Sequence, residues 1–150
     1  MDWLSALEGS AVVALDTAPL IYFIEKHPVY APVITPFFEE LDRGSFRVIT
    51  STLTLTEVLV HPFRNGKSDL ADRYFQILTT SKNLAVLPVS DIIAIEAARL
   101  RASRGLRTPD AIQMATALIG GATSFLTNDA GIAPIPGLRI ILLDQLIRET

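Results

Sequence analysis

A chain of 150 residues and 16.4 kDa can enclose one real core, and we read it as a single domain, 1–150, with no internal repeat or linker. The absence of cysteine excludes a disulfide framework and any thiolate metal site, which suits a reducing cytoplasm. A formal charge of −3 argues against a broadly basic, constitutive nucleic-acid binder, although two divalent ions would bring that charge to +1. The apolar fraction of 49% and mean hydropathy of +0.38 fit either a richly packed helical core or surface buried against a partner. Apolar runs such as Val12–Leu15 and Leu20–Ile24 are broken by Asp16 and Glu25, so no membrane span or signal segment is expected.

Trp3, Leu4 and Leu7 give a short amphipathic start. Ala11–Leu15 is a continuous apolar run that reads as a buried parallel strand ending at Asp16. Thr17–Lys26 and Tyr30–Arg43 read as helices separated by the proline-bearing stretch around Tyr30, with Gly44 stopping the second. Phe46–Thr50 is the second strand, and Ser51–Thr54 opens a helix containing Glu57. Ser68–Ser81 is amphipathic, Leu84–Val89 is the third strand, and Asp91–Ser103 is a helix ended by Gly105. Thr108–Ile119 forms another helix, stopped at Gly120-Gly121, before strands at Thr123–Thr127 and Leu138–Leu143. Strands alternating with helices predict an α/β fold: a mainly parallel central sheet with helices on both faces, a three-layer α/β/α sandwich.

In such sheets ligand sites form beyond the carboxyl ends of the strands. Asp16 ends the first strand, Asp129 follows the fourth by two residues, Glu57 lies early in the helix after the second, and Asp110 opens the helix before the fourth. Each acid has an ordinary alternative. Thr54 to Glu57 has capping-box spacing, Thr108-Pro109-Asp110 reads as a helix start, and Asn128-Asp129 as a turn pair. Asp16, wedged between Leu15 and an apolar helix, is hardest to explain that way. Carboxylates gathered in one pocket repel unless a cation neutralises them, and hard ions such as Mg²⁺ or Mn²⁺ prefer such oxygen donors. One or two such ions would let the set hold a phosphodiester, activate a water and stabilise the leaving oxygen.

The segments Ala14-Leu15-Asp16-Thr17, Thr56-Glu57, Thr108-Pro109-Asp110-Ala111 with Ala115-Thr116-Ala117, and Leu126-Thr127-Asn128-Asp129 together resemble the PIN domain, and within it the VapC-type toxins of toxin–antitoxin pairs. The similarity runs from Val12 to about Leu146, with residues 1–10 as an N-terminal extension. The resemblance implies a cytoplasmic Mg²⁺- or Mn²⁺-dependent endoribonuclease whose metal and catalytic residues are Asp16, Glu57, Asp110 and Asp129. It further implies that Thr127 supports a carboxylate or a water on the metal, that Thr17 and Asn128 orient these groups, and that the partners are RNA, a cognate antitoxin and a second copy of the chain. Arg99, Arg101, Arg104 and Arg107, packed into nine residues before Asp110, are the candidate phosphate contacts. A solvated helix face with Glu96 paired to Arg99 is the plain alternative.

Three features carry no site. Asn65-Gly66-Lys67-Ser68 mimics the end of a P-loop, but its upstream glycine position is His61 and it follows a helix. His27 and His61 lack partners at ligand spacing, and Asp144 is expected to be a solvated cap. Rival readings are a catalytically silent PIN-like RNA- or protein-binding domain and a phosphoacceptor receiver. The receiver needs paired acids after the first strand and a lysine ending the last, and neither is present.

Overall fold

The computed structural model describes residues 2–148 and contains one five-stranded sheet, all parallel, in the order β3-β2-β1-β4-β5. Chain order is α1 (Trp3–Ala6), β1 (Val12–Leu15), α2 (Thr17–Ile24), α3 (Ala31–Asp42), β2 (Arg47–Ser51), α4 (Thr52–Arg64) and α5 (Ser68–Thr80). Then follow β3 (Leu84–Leu87), α6 (Asp91–Arg104), α7 (Thr108–Ile119), β4 (Ser124–Thr127), β5 (Arg139–Leu142) and α8 (Leu143–Arg148). The three-layer α/β/α architecture agrees with the sequence reading.

Alternation along the strands divides the interior in two. Val13, Leu15, Val48, Leu126 and Ile141 face a core completed by Trp3, Phe37, Tyr74 and Leu146 from α1, α3, α5 and α8. Ala14, Ile49 and Phe125 face the other side, where α6 contributes Ile93, Ala97 and Leu100 and α7 contributes Ala111, Met114 and Ala115. Small residues on α7 let it lie close to the sheet. A Cβ on Gly120 at its end would fall 2.4 Å from Ile49 Cδ1, so this glycine serves close packing as well as helix termination.

The chain leaves β1, builds β2 and β3 to one side, and then returns through α6 and α7 to place β4 on the other side of β1. The strand order thus reverses between β1 and β4, and the crevice at their carboxyl ends is where such folds bind ligands. Within residues 1–10, α1 buries Trp3 to 1% exposure, with its indole N–H donating to Val33 O at 2.9 Å. One expectation needs correction. Leu143 leaves the strand and starts α8, so Asp144 sits in a first helical turn and accepts the Tyr30 hydroxyl at 2.6 Å instead of standing solvated.

Candidate active site

The crevice between β1 and β4 is built first by Asp16. Its amide pairs across the sheet with Leu126 O at 2.9 Å, which continues the β1–β4 ladder and fixes the backbone. Asp16 then turns the chain into α2 as its N-cap, Oδ1 accepting from the Thr17 amide at 2.9 Å. Oδ2 accepts the Thr127 hydroxyl at 2.7 Å, and the same Thr127 oxygen accepts the Asp129 amide at 3.0 Å. One buried hydroxyl therefore locks the carboxylate after β1 to the turn after β4. Burial pushes the Asp16 carboxyl above its ordinary value, the bonds from Thr127 and Thr17 pull it back, and the nearby charges of Glu57 and Asp110 raise it further. Three of the four acids therefore share one field.

Glu57 is held by Thr17, whose hydroxyl donates to Oε1 at 2.7 Å. The capping-box alternative fails here: Ser51 caps α4 by accepting the Leu53 amide, which leaves Glu57 in the second turn. Asp110 lies in the first turn of α7, where Arg107 is the N-cap residue with no capping bond of its own. The Arg107 Nε donates to Asp110 Oδ2 at 3.3 Å, and its terminal nitrogen lies 3.9 Å from Asp129 Oδ2. Asp129 Oδ1 accepts the Gly131 amide at 2.8 Å, so the turn role foreseen for this residue is real but occupies only one oxygen. Asn128 touches none of the acids. Its amide donates to the Tyr22 hydroxyl at 3.3 Å, and its oxygen accepts the Asp144 amide at 2.9 Å, which anchors the turn to α2 and α8.

Beneath the acids lies a polar network that sequence reasoning did not single out. Thr50 donates to Leu15 O at 2.9 Å, which leaves Thr54 to donate to Thr50 at 2.7 Å. Buried Gln113 on α7 donates to Thr54 at 2.9 Å and accepts from Ser51 at 2.8 Å. This ties α7, which carries Asp110, to α4, which carries Glu57. Only the placement of hydroxyls and one amide inside otherwise apolar segments could have flagged these residues.

The four arginines do not form one bare stripe. Arg99 pairs with Glu96 at 3.2 Å, as the plain alternative held, and the Arg101 Nε donates to Leu106 O at 3.0 Å, bracing the loop into α7. Arg104 lies in the last turn of α6, and Arg107 faces the acids. Of the histidines, His27 accepts the Val29 and Tyr30 amides through Nδ1, a turn role.

Among the described residues no group of three or more His, Cys, Asp or Glu side chains is drawn together closely enough to hold a metal ion by itself. The donor set is nonetheless all oxygen, and Mg²⁺ is ordinarily held by one or two carboxylates with the remainder water, so the residues fit such an ion by their chemistry. No helix of the described residues is long and apolar enough to cross a membrane.

Comparison with known proteins agrees with this fold. Among solved structures, a chain of VapBC2 from Rickettsia felis bound to a promoter DNA fragment aligns with TM-score 0.68 and 20% identity, covering 87% of this chain and 98% of that one. A toxin–antitoxin complex from Klebsiella pneumoniae gives 0.65 and 24%, over 84% and 94%, and DNA-bound VapBC from Salmonella typhimurium 0.61 and 23%, over 87% and 97%. No curated protein matches the sequence. The order β3-β2-β1-β4-β5 also departs from the 2-1-3-4-5 order of receiver-type folds, which removes that rival. The PIN domain family matches residues 13–138, from β1 to the start of β5, and this chain belongs to it.

Proposed function

We propose that this protein is a Mg²⁺- or Mn²⁺-dependent endoribonuclease and the cytoplasmic toxin of a type II toxin–antitoxin pair. The reading is supported chiefly by how the acids neighbour one another at the carboxyl edge where the strand order reverses: Asp16 feels the charges of Glu57 and Asp110, and Arg107 bridges Asp110 to Asp129. One or two divalent ions held there would neutralise the phosphodiester, activate water and stabilise the departing oxygen. The chain's own groups prepare that edge: Thr127 aims Asp16 and fixes the Asp129 turn, Thr17 aims Glu57, and the Gln113 network holds α7 against α4. The proposed partners are an antitoxin, which the toxin–antitoxin complexes among the structural neighbours support, and a second copy of the chain. They draw further support from apolar side chains left at the surface of α4, α5 and α6, among them Phe63, Phe75 and Ile92.

The second reading, a catalytically silent binding domain, rests on the carboxylates being engaged by protein partners and not gathered into a cage. Incubation of generic single-stranded RNA with the protein decides between them. Cleavage with Mn²⁺ that stops in chelator supports the nuclease, and intact RNA under both conditions supports the silent domain.

A further inference from the structure

We propose that Arg107 is a resident counter-cation of the active site, which a divalent ion must displace in order to bind. The inference rests on the metal-dependent reading above and concerns what sets the site's affinity. Asp129 commits Oδ1 to the Gly131 amide, which leaves its Oδ2 for a cation, and Asp110 presents Oδ2 to the same guanidinium. The Arg107 guanidinium addresses both, at 3.3 and 3.9 Å, and the three side chains line one open cavity of about 420 Å³ with Gly105, Leu106 and Gly131. A hard cation would take the same oxygens, so the two cations compete.

The placement of Arg107 is built by its surroundings. Gly105, at φ +66, ends α6 in a left-handed turn, and the Arg101 guanidinium holds the Leu106 carbonyl, which fixes the short loop that delivers Arg107 to the mouth of the crevice. Its side chain is 76% exposed, so the contact is weak enough for an ion to break, yet the tethered guanidinium remains at the site as a competitor. Metal loading thus acquires a threshold that the four acids alone would not impose.

The test is Mn²⁺ affinity in the absence of RNA, read from the electron paramagnetic resonance signal of free Mn²⁺. Wild type would be compared with Arg107→Ala, Arg107→Gln and the charge-matched control Arg43→Ala, at the far end of α3. Removing the competitor is expected to tighten Mn²⁺ binding about two- to fivefold in both Arg107 variants, the size of a surface ion pair, with Arg43→Ala close to wild type. If wild type binds Mn²⁺ and the Arg107 variants bind no better, the competition is refuted while the metal site stands. An equal gain in Arg43→Ala would reduce the effect to net charge and also overturn it. Silence of every variant toward Mn²⁺ would remove the metal site itself, and the competition with it.

Discussion

Burial raises the Asp16 carboxyl while its two hydrogen bonds favour the charged form, and burial prevails. The folded value then lies above the ordinary 3.8, so the folded chain binds more protons than the unfolded one across the window between them. The favourable contribution is fully present below 3.8 and is lost as pH rises through the raised value. Near neutral pH, metal-free Asp16→Asn should therefore melt at the same temperature as wild type or higher, and Mn²⁺ should stabilise wild type clearly but the variant little. A capping residue predicts the opposite, a loss of about 0.5–2 kcal/mol that ignores metal. Melting curves in chelator and in Mn²⁺ separate the two, and a destabilised variant indifferent to Mn²⁺ would contradict the metal-site reading. Asp16→Asn and Asp129→Asn should both lower RNA cleavage by orders of magnitude with the fold intact. Wild-type turnover in either would remove that residue from the site. At this scale the sequence exposed the acids because a carboxylate at a strand end is conspicuous. It hid what each oxygen does, since the spacing that offered Glu57 as a cap was overruled by Ser51 three residues before Thr54.

The site depends on α7 and α4 being held in register, and Gln113 does this from a fully packed position. Replacing it with Leu keeps much of the volume but takes away the acceptor of the buried Ser51 hydroxyl and the donor to Thr54, which keeps its bond to Thr50. We expect a loss of about 1–3 kcal/mol in urea unfolding, together with reduced cleavage, because Asp110 lies one turn earlier on the same helix. Stability lost with full activity would show that the network supports the fold alone. Periodicity made these helices legible: α7 spans Thr108–Ile119, the range read from the sequence. The same signal failed for α8. A helix of six residues shows barely one repeat, and Leu143 continues the apolar run of β5, so strand and helix blend. Thr50 goes unread, and Thr54 reads only as a helix cap, for a related reason: a hydroxyl inside an apolar run looks like pattern noise until its partner is known.

Across the whole molecule, the proposed action on RNA would require a chain of charge −3 to set its few cations where phosphate approaches. The α/β layering was legible because buried parallel strands are near-continuous apolar runs, but the surface was not, since Arg99, Arg101 and Arg104 diverge once wound onto α6 and Arg107 lies beyond it as the N-cap of α7. Arg99 and Arg101 lie about 160° apart around α6, whereas Arg101 and Arg104 are separated by about 60° and share a face. Arg99 is already paired with Glu96, and Arg101 reaches toward the loop that leads to the acids. The double variant Arg101→Ala/Arg104→Ala should therefore bind single-stranded RNA more weakly whatever its sequence. With both guanidinium groups removed from the phosphate path, the slope of log affinity against log salt should fall in magnitude by about 1.4. Arg99→Ala should leave both nearly unchanged. Fluorescence anisotropy in chelator, where RNA stays intact, measures affinity and slope together. An Arg99→Ala effect equal to that of the double variant would mean that the RNA path crosses the other face of α6. An unchanged slope in the double variant would take this helix out of the RNA path altogether.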